Sequence, residues 1–179
     1  MAKKVIISAV VIASIVTMLY SSIKTLENER KEFKVVYQDR AEPEKILSEG
    51  FDCNRIQPVT YRHVEPLTEL EGTARKEAFI RMVLPSILIA QEEVIQARKR
   101  AEAIFNKIDR GLTPDPAEFN FLSELFRKYR TESRSELMSR LNTAPPSIVL
   151  AQAAIETGWG SSRFFSEANN VFGIWTFKK

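Results

Sequence analysis

The chain has 179 residues, room for one domain and an appendage because single domains take roughly 100 to 200 residues; a two-domain enzyme is disfavoured. Its 44% hydrophobic and 27% charged residues exclude wholesale disorder and collagen-like repeats. A formal charge of +3, from 26 Lys and Arg against 23 Asp and Glu, is too small an excess for a dedicated nucleic-acid binder.

From Val5 to Ile23 no residue is charged, and Lys3, Lys4 and Lys24 bracket the run. As a helix it spans about 28 Å, close to the hydrocarbon thickness of a bilayer. Residues 1–24 are therefore expected to be a signal anchor or a signal peptide crossing the membrane through residues 5–23. Leu19 and Tyr20 stand where a signal peptidase wants small side chains, which favours the uncleaved anchor. Lys3 and Lys4 on one side face Lys24, Arg30, Lys31 and Lys34 on the other, so charge alone does not orient the span.

Residues 25–72 carry mixed charge, prolines at 43, 58 and 66, and no sustained period. Phe33 to Tyr37 has the composition of a short strand, but the region as a whole reads as a connector. It holds the single cysteine, Cys53, and the single histidine, His63. One of each rules out an intramolecular disulfide and a zinc site built from several such ligands. His63 has no nucleophile motif beside it and reads as a solvated loop residue. No metal or cofactor is expected, and carboxylates are left as the candidates for catalysis.

Residues 73–130 read as helical. With Thr73 as N-cap, apolar residues recur at Phe79, Val83, Ile87, Ala90, Val94, Ala97, Ala101, Ile104 and Ile108, alternating steps of three and four. Pro85 removes a backbone donor and is expected to kink or interrupt this helix, which Gly111 and Pro114 close. Arg98, Lys99, Arg100 and Glu102 should form its solvated face. Asp115 before Pro116 opens a second helix through Phe119, Leu122, Leu125, Phe126 and Tyr129. Ser133 with Glu136 predicts a capping box leading into Leu137, Met138 and Leu141. The expected fold class is all α.

Pro145 and Pro146 open the run from Ser147 to Glu156, and Gly158 stands where a helix stops. This helix is apolar almost all round and is expected to be buried on most faces. Glu156 is conspicuous at its end. The negative end of the helix dipole and burial both favour a protonated carboxyl there, the form a glycosidase needs to donate a proton to a departing sugar oxygen. A glutamate that merely frays into solvent is the competing reading.

Ala151-Gln-Ala-Ala-Ile-Glu-Thr-Gly-Trp-Gly160, then Ser161 to Phe164, then Asn169-Asn-Val-Phe-Gly-Ile-Trp175, resembles the opening of the bacterial Bax-type glucosaminidase domain. That domain is akin to the endo-β-N-acetylglucosaminidases and flagellar cell-wall hydrolases. The resemblance implies that residues 131–179 begin a lysozyme-like α lobe, with Glu156 the catalytic proton donor on the β-1,4 bond after N-acetylglucosamine in peptidoglycan glycan strands. It further implies a bacterial envelope protein, anchored in the inner membrane with the domain facing the periplasm or cell wall. The chain stops at Lys179, whereas domains of this family run well beyond the Trp175 motif, so an incomplete, truncated domain is expected.

Gly158 and Gly160 around Trp159 suggest a sharp turn that lays the indole beside the carboxyl; a core tryptophan behind a helix cap is the alternative. Asn169, Asn170, Phe172 and Trp175 are candidate substrate-binding residues, with aromatic faces for pyranose rings and amides for acetamido groups. Phe172 and Trp175 also fit a core. A second catalytic carboxylate is Glu167, an earlier acid, or absent, and attack by the substrate's own acetamido group lessens the need for one. A noncatalytic membrane-anchored helical module that binds glycan or a partner protein is the competing function. The oligomeric state is not readable.

Overall fold

The computed structural model describes residues 34–172. The predicted span at residues 5–23 and Trp175 lie outside them. Among the described residues no helix is long and apolar enough to cross a membrane.

The first element is β1 (Val36–Ala41), followed by the short helix α1 (Pro43–Ser48) and β2 (Val59–Val64). The strands pair in parallel, Val36 opposite Val59 and Ala41 opposite Val64. This two-stranded sheet overturns the all-α expectation and puts regular structure where a connector was read. The physical reason is that β1 is exposed at every residue but Ala41, with Tyr37 71% accessible, so it carries no apolar alternation. Its partner lies more than twenty residues away, and no local signal announces such a pairing. His63 is on β2, not in a loop; it is exposed, with Nδ1 3.3 Å from the Asp39 carbonyl.

A 3-10 turn at Leu67–Glu69 leads into α2 (Gly72–Asp109), which is 38 residues long. Pro85 does not interrupt it. It is buried together with Met82, Val83 and Ile87, and that packing offsets the missing backbone donor. Next come α3 (Pro116–Tyr129), α4 (Arg134–Arg140), α5 (Pro146–Thr157) and α6 (Arg163–Ala168).

The long helix serves two separate cores. Ala78, Phe79, Met82, Val83 and Ile87 from its first half pack with Ala41, Ile46, Leu67, Ala153, Ala154 and Phe165. Ala101, Ile104 and Phe105 from its second half pack with Leu122, Leu125, Leu137 and Leu141 of α3, α4 and the residue after α4. Arg98, expected on a solvated face, is half-buried. It donates to the carbonyls of Met138 and Leu141 at 2.5 and 2.9 Å, joining α2 to the end of α4.

The caps are charged. Asp115 Oδ1 accepts from the Glu118 N–H at 2.9 Å and Glu118 Oε2 accepts from the Asp115 N–H at 2.8 Å, a full capping box. The box predicted at Ser133 is half made. Ser133 accepts from the Glu136 N–H, but the Glu136 carboxylate turns to Thr131 and Arg140. Lys107 Nζ sits 2.6 Å from Glu118, and Arg134 Nη1 2.7 Å from Asp109.

These contacts hold three carboxyls below their ordinary range. The main causes are the Arg134 hydrogen bond for Asp109, the Glu118 backbone donor for Asp115 and the Lys107 hydrogen bond for Glu118. Depressed carboxyls contribute stability above their unfolded values, and that contribution is lost as pH falls through the folded values. The melting temperature should therefore be flat from pH 7 to about pH 5 and fall below about pH 4. Glu118→Gln should lower it at pH 7 and make the acid fall shallower, as followed by circular dichroism.

Candidate active site

Helix α5 starts at Pro146, whose fixed φ and missing N–H suit a first turn. It ends at Gly158 in the left-handed conformation. Burial on most faces was expected; the structure buries only Ala153, Ala154 and Thr157. Ile148 is 54% and Ile155 80% accessible, and Ala151, Gln152 and Glu156 are exposed beside them. Positions 148, 152 and 156 stack at steps of four, with 151 and 155 alongside. Glu156 thus stands at the end of an open stripe that is apolar apart from one amide.

The chain then makes three consecutive left-handed residues, Gly158 (φ 58°), Trp159 (58°) and Gly160 (78°). A left-handed conformation is costly for a residue with a Cβ, and Trp159 is held in it by packing. Its indole meets the Phe79 ring edge-on with centroids 5.7 Å apart, and Lys76 Nζ lies 5.5 Å from the indole centroid. The sharp turn is present, and its indole lies against α2, half-buried on the first core.

Two residues that sequence reasoning passed over hold this turn. Thr157, 2% accessible, donates through Oγ1 to the Ala153 carbonyl at 2.7 Å and accepts from the Gly160 N–H at 3.0 Å. Leu67 donates its N–H to the Gly160 carbonyl at 3.2 Å. A hydroxyl one residue before a terminal glycine was a legible signal for Thr157; Leu67 had none, being remote in sequence.

Asn169 is left-handed (φ 48°) and caps α6, its amide donating to the Arg62 carbonyl on β2. Asn170 Oδ1 accepts from the Phe172 N–H at 3.1 Å. Asn169, Asn170 and Phe172 come together along a groove of about 480 Å³ against Val83, Ile87 and Val94 of α2. Glu156 and Trp159 do not line that groove. Glu167, a candidate second carboxylate, is exposed on α6 with Arg163 Nε 3.5 Å away. Among the described residues no group of three or more His, Cys, Asp or Glu is placed to hold a metal ion.

A Cβ added at Gly160 would lie 2.8 Å from Leu67 Cδ1 and 3.0 Å from Phe165 Cε1, at a φ that only glycine adopts freely. Gly160→Ala should therefore cost more than about 1 kcal/mol, measured as a lower urea midpoint with an unchanged slope.

Residues 132–179 match the glucosaminidase family model, described as mannosyl-glycoprotein endo-beta-N-acetylglucosaminidase. The chain is similar to Protein bax of Escherichia coli (strain K12), with 32% identity over 111 residues, covering 58% of this chain and 39% of that protein. It thus spans well under half the length of this curated relative. No solved structure matches it. The matched region contains Glu156, the left-handed turn and the Asn169–Asn170 pair, so the glucosaminidase-family match of this chain falls on the residues that build the candidate site.

Proposed function

We propose that this protein is a glycoside hydrolase of the bacterial cell wall, cutting the β-1,4 bond after N-acetylglucosamine in peptidoglycan with Glu156 as general acid. The observation that carries the reading is a carboxyl on the open face of α5, at the edge of a turn clamped to the core, inside the region that matches the glucosaminidase family. An exposed site suits a polymeric substrate, because the glycosidic oxygen must come within hydrogen-bond reach of the acid. The carboxyl gives its proton to the departing oxygen as the bond to the anomeric carbon breaks, and water or the substrate's acetamido oxygen takes the vacated position. Trp159, Asn169, Asn170, Phe172 and Trp175 are proposed as substrate-binding residues, with no cofactor.

One observation favours a second reading. The groove beside Asn169, Asn170 and Phe172 is apolar and is not lined by Glu156, as suits a noncatalytic module that binds glycan or a partner protein. Digestion of purified peptidoglycan separates the two. Glu156→Gln should lower the release of reducing ends by about 100-fold or more while leaving sedimentation with insoluble peptidoglycan intact. Sedimentation without cleavage by the wild-type chain would establish the binding module instead.

A further inference from the structure

We propose that Thr157 is a positioning residue for Glu156, and that it acts through a latch reaching Leu67, outside the region that matches the glucosaminidase family. The inference rests on the assignment of Glu156 as the acid. The last turn of a helix has carbonyls without intrahelical partners and is the part most ready to fray. A proton donor placed there needs its backbone held from outside the helix.

Here the Trp159 N–H closes on the Ala154 carbonyl at 2.9 Å, and one buried side chain adds two bonds of its own. Thr157 Oγ1 donates back to the Ala153 carbonyl at 2.7 Å and accepts from the Gly160 N–H at 3.0 Å. Its own carbonyl accepts from the N–H groups of Ser161 and Ser162 at 3.1 and 3.0 Å. The loop carrying Gly160 is thereby folded back onto the residue that follows Glu156. Gly160 is pinned in turn, because its carbonyl accepts from the Leu67 N–H at 3.2 Å and its Cα leaves no room for a side chain against Leu67 and Phe165. Leu67 is fully buried and belongs to the 3-10 turn that follows β2. The backbone next to Glu156 is therefore tied to a segment before α2 as well as to α5 itself.

Thr157→Val keeps the side-chain shape and removes both hydroxyl hydrogen bonds, leaving the Gly160 N–H without its acceptor. Thr157→Ser restores the hydroxyl. With the full chain on peptidoglycan, Thr157→Val should lower kcat about tenfold or more with KM changed by less than about twofold, and Thr157→Ser should recover most of the loss. A merely structural residue would instead lower the active fraction in step with the melting curve and leave kcat per folded molecule unchanged. If Thr157→Val keeps wild-type kcat while Glu156→Gln is inactive, positioning is overturned and the acid assignment stands. If Glu156→Gln is as active as wild type, or the wild-type chain releases no reducing ends, the acid assignment fails and takes the proposal with it. Amide exchange in the wild-type chain is a second arm that needs no variant to fold. Gly160 and Leu67 should be protected, and exchange at the rate of an open loop would overturn the latch.

Discussion

The structure around Glu156 depends on one close approach, the bare Cα of Gly160 against Leu67 and Phe165. Only glycine combines that lack of a side chain with a φ of 78°. Because the approach is so tight, the loop after α5 has little freedom, and the residues before it inherit that restriction. Thr157 passes it back by hydrogen bonding to both sides of the turn. Trp159 passes it sideways, through its ring packing on Phe79. A strained left-handed tryptophan is tolerated because the core on which it rests is already formed by α2.

Helix α2 accounts for the rest of the arrangement. Its first half organises the sheet, α5 and α6, and its second half organises α3 and α4, through two apolar clusters with no residue in common. Polar contacts along the same helix bind the remaining segments to it. Arg81 donates to the Ile46 and Glu49 carbonyls at the end of α1, Gln91 to the Ala144 carbonyl before α5, and Arg98 to the end of α4. Bonds of this kind orient the attached segments, and the part-buried ones, from Arg81 to Ile46 and from Arg98 to Met138 and Leu141, contribute more by satisfying an otherwise orphaned acceptor than by attraction alone.

What was legible in advance follows the range of the interaction. Asp115-Pro116, Pro146 and Gly158 mark helix ends through bonds made within a few residues, and each stands where the sequence places it. The parallel pairing of β1 with β2 is non-local and β1 is exposed, so although the composition of Phe33 to Tyr37 hints at a strand, neither composition nor period reveals its partner. The apolar content of α5 implied burial, yet Ile148 and Ile155 face outward; hydrophobic residues show what a helix is able to bury, not what lies opposite it. Glu156 is proposed as the acid from its place at a helix end together with the family resemblance. Leu67, which holds the turn beside it, was not legible, since the contact spans most of the described chain.

The claim that the Glu156 turn is clamped onto the core is tested most directly by nuclear Overhauser spectroscopy on the labelled full chain. The account predicts strong cross-relaxation from the Gly160 Cα protons to both the Leu67 methyl groups and the Phe165 ring. Cross-peaks from Gly160 only to its chain neighbours would contradict it.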